Sequence, residues 1–209
     1  MKTLDYIIKK YELSFQKMPI EIPNVGRADL ANLTKELDFK YGAELGVAAG
    51  EYSLELCKAN NWELFMGIDP WISYRGYTDY QKESTFNRLE LEARERMKDQ
   101  SFYVFLKLKG EDALETIKDE SLDFCYIDAN HKDPFVSQDI AGWYKKVRSG
   151  GILAGHDYVK SKKVNIDVVS AVHNFTEEKD IKTWFVLGTF KHKHGEIRDS
   201  ARSWVIVKE

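Results

Sequence analysis

Tyr41-Gly42-Ala43-Glu44-Leu45-Gly46-Val47-Ala48-Ala49-Gly50-Glu51-Tyr52-Ser53 decides how the chain is read. Its first part reads as a strand and its end opens a helix. Between them, two glycines and two alanines let backbone come close to a ligand. Glu44 falls at the strand's carboxyl end, where open α/β sheets bind ligands. A dinucleotide loop needs G-x-G-x-x-G, so that a pyrophosphate rests on glycine backbone and a helix N-terminus. Here Ala48 stands for the middle glycine and Glu51 for the last. A carboxylate beside a pyrophosphate repels it. No Gly-Lys-Ser/Thr follows, so the stretch is no P-loop. The loop suits a ligand that lacks phosphate and carries positive charge.

The chain has 209 residues, 43% of them hydrophobic, enough for one well-buried domain. A net charge of −3 and a pI near 6.0 give no reason to expect a nucleic-acid partner. Cys57 and Cys125 lie inside apolar patterns and read as buried thiols, not as a disulfide or a metal pair. Lys2, Asp5, Lys9 and Lys10 leave no apolar core for a signal peptide. No apolar run is long enough to span a membrane. The expectation is a soluble cytoplasmic protein, and oligomeric state has no signature in the sequence.

Leu4, Ile7, Ile8, Tyr11 and Phe15 recur at helical spacing between Lys2 and Gln16. Met18–Pro23 carries two prolines and reads as a break. Arg27–Leu37 reads as a second helix, so residues 1–38 are expected to pack on or cap a domain spanning 39–209. After the first strand come a helix over Ser53–Asn60 and a buried strand over Glu63–Asp69. Asp69 lies roughly 20 residues beyond the glycine loop, where an acid takes a ribose diol in this architecture. Capping of a turn is its alternative role. Pro70–Tyr80 is long and dense in aromatics, which suits a lid, a surface for adenine, or a loop that buries its rings on the domain. Glu83–Lys98 reads as an amphipathic helix with a solvated charged face. Phe102–Leu108 is a third strand, and Gly110-Glu111-Asp112 starts a short helix. Ser121–His131 is a fourth strand and its exit. Asp133–Arg148 is a helix that Gly150-Gly151 stops. Ile152–Tyr158 is a fifth strand and its exit, and Val164–Lys179 a helix. Thr183–Gly188 and Arg202–Val207 are strands with no helix between them, so they pair antiparallel. Lys191-His192-Lys193-His194, between these two, reads as a solvated loop. The expected fold class is α/β: a Rossmann-like, seven-stranded, mostly parallel sheet with helices on both faces and an antiparallel C-terminal hairpin.

Glu44-Leu45-Gly46-Val47-Ala48-Ala49-Gly50 resembles motif I, E/D-x-G-x-x-x-G, of the class I methyltransferases that use S-adenosylmethionine (SAM). SAM carries a sulfonium and an ammonium and no phosphate. A second resemblance is more specific. The order Leu122-Asp123-Phe124-x-Tyr126-Ile127-Asp128-Ala129-x-His131, helix, Gly150-Gly151-Ile152-Leu153-Ala154-Gly155-His156-Asp157-Tyr158 closely resembles one subgroup. That subgroup holds small-molecule and sugar O-methyltransferases with catechol-type relatives. The match runs from about Tyr41 to Tyr158. It implies methylation of a small hydroxylated acceptor or sugar. It also implies cofactor contacts at Glu44, Gly46, Ala48, Gly50, Asp69, Trp71, Glu111, Asp112 and Asp128. In that family a polar side chain just after the third strand's glycine meets the adenine amino group. Asp112 is the better match and Glu111 its neighbour, and either can instead cap the helix.

Glu44, Asp69, Asp112, Asp128 and Asp157 fall at or just beyond strand ends that share one edge of a parallel sheet. Carboxylates gathered there raise each other's pKa unless a cationic cofactor or a metal relieves them. Methyl transfer is an in-line displacement, so alignment is the protein's main contribution. A hydroxyl acceptor also has to lose its proton. His156 or Asp157 can act as general base, or a divalent ion held by Asp128 and Asp157 can lower the hydroxyl's pKa. In the metal-dependent relatives an oxygen ligand stands where His156 is. A histidine there tilts the site from Mg²⁺ toward Mn²⁺ or Zn²⁺. Adjacent strand residues face opposite ways, so His156 and Asp157 meet one ion only if the chain turns. His131 either orients Asp128 or caps the next helix. Two rivals stay open: an NAD(P)-dependent oxidoreductase, against which Ala48 and Glu51 speak, and a non-catalytic nucleotide-binding module. O- versus N-methylation and the acceptor's identity have no signature in the sequence.

Overall fold

The computed structural model describes residues 2–14, 17–74, 76–77 and 80–209. Its strands are β1 (Ile20–Ile22), β2 (Tyr41–Leu45), β3 (Leu64–Ile68), β4 (Tyr103–Leu106), β5 (Leu122–Ile127), β6 (Val147–Gly155), β7 (Lys160–Ser161), β8 (Ile166–Asp167), β9 (Trp184–Leu187) and β10 (Trp204–Val207). Its helices are α1 (Thr3–Lys10), α2 (Arg27–Glu36), α3 (Glu51–Ala59), α4 (Glu83–Met97), α5 (Gly110–Leu114), α6 (Phe135–Lys146) and α7 (Val168–Glu178).

Eight strands form one sheet in the order β1-β9-β10-β6-β5-β2-β3-β4, while β7 and β8 pair apart. Within the large sheet only β10 is antiparallel, to both β9 and β6. The inner strands are apolar on both faces, as a parallel sheet covered by helices requires. Every residue of β5 is buried. Side chains alternate along it. Phe124 and Tyr126 pack with Ile7 of α1, Leu30 of α2 and Leu56 of α3. Cys125 and Ile127 pack on the other face with Ala113 of α5, Trp143 of α6 and Val172 of α7. A third cluster of Val47, Trp71, Phe86, Leu89 and Ala93 lies between the glycine loop and α4.

The sheet has one strand more than expected. Met18–Pro23 is not simply a break, because β1 sits between its prolines and pairs parallel with β9 at the sheet edge. Pro19 and Pro23 flank the strand, so neither removes a ladder bond from it. The first helix ends at Lys10, and Phe15 lies outside the described residues. Helix α6 stops at Lys146, before Gly150-Gly151, and that pair lies inside β6. There a Cβ on Gly151 would lie 2.7 Å from the Asp123 carbonyl oxygen, so the two strands approach too closely for a side chain. Residues 164–167, read as the start of the last helix, instead lead into and form β8, which pairs with β7, and Asp167 caps α7 by accepting from Ser170 N at 3.0 Å. No helix of the described residues is long and apolar enough to cross a membrane.

β2 lies between β3 and β5. The chain therefore winds one way to β3 and β4, and the other way to β5 and β6. Ligands bind α/β sheets outside the carboxyl ends of strands at such a reversal.

Candidate active site

A cavity of about 820 Å³ opens at that reversal, lined by the exits of β2, β3, β5 and β6 and by the start of α5. Its floor is the glycine loop. Gly46 has φ +90°, and a Cβ there would lie 2.0 Å from the Asp128 carbonyl oxygen. Only glycine fits. Ala48 also takes a left-handed φ of 48°. Gly50 plays a different part: it stands at the N-terminus of α3 outside the cavity lining, where a Cβ would lie 3.2 Å from Cα of Ala93 on α4.

Two acids shape this floor. Glu44 is 2% exposed and accepts a hydrogen bond from Ser53 Oγ, which in turn lies 2.8 Å from the Tyr103 hydroxyl. Burial pushes its carboxyl up to about 8 against the opposing Ser53 bond. Asp69 lines the cavity and ties the loop down. Its Oδ2 accepts from Ala48 N at 2.9 Å and its Oδ1 from Trp71 N at 2.8 Å. Burial raises its pKa despite these backbone bonds. Trp71 is 3% exposed and outside the cavity lining, and its indole Nε1 donates to the Ala48 carbonyl at 2.9 Å. It braces the loop from beneath.

After β4, Gly110 and Glu111 line the cavity and Asp112 does not. Opposite them Asp139 of α6 also faces it, 3.1 Å from where a Gly110 Cβ would stand. Burial and then the charge of Glu111 push the Asp139 carboxyl up to about 7. Tyr74, Tyr77, Tyr80, Phe86 and Phe135 complete this side, with the Tyr74 and Tyr77 rings stacked at 5.1 Å. Arg75 of the same loop lies outside the described residues.

The other side holds the acids after β5 and β6. Ligand atoms of Asp128, His131 and Asp157 lie within 4.8 Å of one another. His131 Nε2 is 2.8 Å from Asp157 Oδ2 and 3.3 Å from Asp128 Oδ1. His156 Nδ1 stands 3.5 Å from Asp157 Oδ2 and 3.8 Å from Asp128 Oδ1, but His156 does not line the cavity. Asp157 has φ +48°, so the chain does turn at this strand exit and both neighbours face Asp128. Burial alone would raise the Asp157 carboxyl. The hydrogen bonds and charge of His131 and His156 outweigh it and hold the group well below the usual carboxylate range. Outside the cavity lining, His192 and Lys193 bond to Glu196 within an exposed loop.

A family described as "Methyltransferase domain" matches residues 43–158, more than half of the chain. The chain belongs to this methyltransferase family. The class I, SAM-dependent reading drawn from the motif order stands. No curated protein matches the sequence. Solved structures share its fold. The Bacillus cereus O-methyltransferase, solved with S-adenosylhomocysteine (SAH), has a TM-score of 0.62 at 16% identity, over 99% of this chain and 90% of that one. TomG of Streptomyces achromogenes, an O-methyltransferase of tomaymycin synthesis solved with SAM, has 0.60 at 14%, over 100% of this chain and 91% of that one. Spermidine synthase of Thermotoga maritima has 0.55 at 10%, over 87% of this chain and 56% of that one. A sheet that hosts both names does not by itself select an acceptor.

The cavity is also lined by residues that the sequence did not single out. Arg27 and Tyr52 line the cavity from α2 and α3, and Ile166 from β8. Neither Arg27 nor Asp139 lies near a strand end, and no short motif marks them.

Proposed function

We propose that this methyltransferase transfers the methyl of SAM to a hydroxyl of a small acceptor, a sugar or a phenol-like molecule. One observation carries the reading: Glu44, Asp69, Asp128 and Asp157 all face one cavity at the sheet's reversal. A nucleoside that carries a sulfonium and an ammonium suits four acids there, and a pyrophosphate does not. In this reading Asp69, which already accepts from Ala48 N and Trp71 N, takes the ribose hydroxyls with its remaining lone pairs. Gly46 and Ala48 supply backbone beside the methionyl chain. Glu111 and Asp139 meet the adenine edge. Gly50, Trp71 and Asp112 act on the loop and helix around the cofactor. Residues 1–38 pack on the domain formed by 39–209 and add β1 to its sheet.

The acceptor's proton needs a destination. His131 faces the cavity, with Nε2 2.8 Å from Asp157 Oδ2 and 3.3 Å from Asp128 Oδ1. We assign the base role to His131, with Asp157 orienting it and His156 backing Asp157 from outside the lining. The same set, two carboxylates and an imidazole, fits a Mn²⁺- or Mg²⁺-sized ion held by Asp128, His131 and Asp157. When bound, such an ion would lower the pKa of a hydroxyl placed on it. The chain's own part is unchanged: it holds the acceptor in line with the sulfur, which contributes several kcal/mol through alignment.

Calorimetry with SAH tests the cofactor site, and no binding at millimolar concentration would end the reading. Turnover against phenols, sugars and amines, with and without EDTA and added Mn²⁺, then separates an O-methyltransferase from a non-catalytic module and assigns the ion.

A further inference from the structure

Arg27 is the cation at the acidic end of the cavity. The lining holds three Arg or Lys side chains among the described residues: Arg27, Arg88 and Lys109. Arg88 bonds Glu92 at 2.6 Å, and Lys109 lies 3.7 Å from Glu111. Both belong to the α4 and α5 side, where the nucleoside goes. Arg27 instead sits beside Asp128, with Nη1 3.8 Å from Asp128 Oδ2, Nε 3.9 Å from Asp199 Oδ2, and its guanidinium 5.1 Å over the Tyr52 ring. These ion pairs are too long to be hydrogen bonds. The backbone nitrogen of Arg27 is tied to Asp199 Oδ2 at 2.8 Å, yet the guanidinium makes no hydrogen bond among the described residues. Its five N–H donors therefore lack acceptors at a cavity wall.

Asp128 and Asp199 flank the guanidinium without hydrogen-bonding it, so its fork is open to an anion in the cavity. Asp69 and Gly110 draw the nucleoside toward β3 and β4, which turns the amino-acid end of SAM toward Glu44 and Asp128. That end carries an ammonium, which the acids suit, and a carboxylate, which they repel. A planar guanidinium fork matches a carboxylate with two parallel hydrogen bonds. We propose that Arg27 binds the methionyl carboxylate of the cofactor, so that the N-terminal segment completes the cofactor site. The inference rests on the SAM reading above.

The test compares SAH with its decarboxylated analogue, which keeps nucleoside, sulfur and amine. Wild-type protein should prefer SAH by about tenfold to a hundredfold, as expected for a hydrogen-bonded charged pair. In Arg27→Gln the preference should collapse toward unity, with the analogue's affinity nearly unchanged, and Arg27→Lys should keep part of it. Equal binding of both ligands by wild type overturns the assignment. So does an Arg27→Gln protein that keeps the full preference. Equal loss of both ligands in Arg27→Gln and Arg27→Lys also overturns it, since the side chain would then be holding α2 in place. Failure of wild type to bind SAH at all would sink the cofactor reading instead.

Discussion

Replacing Glu44 with glutamine removes a buried carboxyl group from β2, near the centre of the sheet. Glu44 is buried at the cavity floor, and its carboxyl is pushed from an ordinary 4.5 up to about 8. Below pH 4.5 the folded and unfolded chains both carry it protonated, and it costs nothing. Between 4.5 and about 8 the unfolded chain ionises it and the fold does not. Stability then falls with rising pH by roughly 1.4 kcal/mol per pH unit, because the native state binds more protons. Above about 8 the cost levels off, on the order of 5 kcal/mol. Glutamine can still accept from Ser53 Oγ and never ionises. Urea unfolding of both proteins from pH 4.5 to 9 should therefore show the variant gaining on wild type as pH rises. Cofactor binding should move the opposite way. A cation near Glu44 favours the carboxylate, so wild type should release up to about one proton on binding SAM at pH 7. The variant should release less and bind more weakly. Calorimetry in buffers of different ionisation enthalpy reads the proton directly. A stability difference independent of pH, together with equal proton release, would refute the claim that burial of Glu44 is what the cofactor's charge relieves.

Other substitutions separate the parts of the site. Gly46→Ala drives a Cβ to 2.0 Å from the Asp128 carbonyl at a positive φ, and should cost roughly 3–5 kcal/mol in urea unfolding and abolish SAH binding. Trp71→Phe loses the indole bond to Ala48 and should cost about 1 kcal/mol, with a several-fold rise in SAH Kd by calorimetry. His131→Ala should lower kcat by about 10²–10⁴-fold with SAH affinity nearly unchanged, and an equal fall in affinity would make His131 a cofactor residue instead. Gly50→Ala strains a left-handed residue packed on Ala93 and should show its loss in thermal unfolding before it shows in SAH affinity at saturating protein concentration.

Much of the fold was legible because strand burial and helix spacing are local properties. β5 reads as a buried strand from six consecutive residues, and α4 from its apolar spacing. β1 was not legible. Three residues between prolines carry no periodicity, and the strand exists because β9 offers an open edge. The same limit applies to the site. Glu44, Asp69, Asp128 and Asp157 announce themselves by standing at strand exits. Asp139 and Arg27 sit on helices, where only the docking of α6 and α2 turns them toward the cavity. The sequence ranked Asp112 ahead of Glu111, and the rotation of a five-residue helix reversed that order at the cavity wall.

By itself the sequence determined the strand–glycine–helix unit at 41–53, the succession of acids at strand ends, and through them the kind of ligand charge the sheet can receive. Those follow from residue type and spacing, which are written along the chain. Only the tertiary structure decided that Gly50 packs on α4 while Gly46 meets the cavity. It also decided that His131 joins Asp128 and Asp157 while His156 stands behind them. These choices depend on where separate elements come to rest against one another, and close packing between distant segments leaves no local period to read.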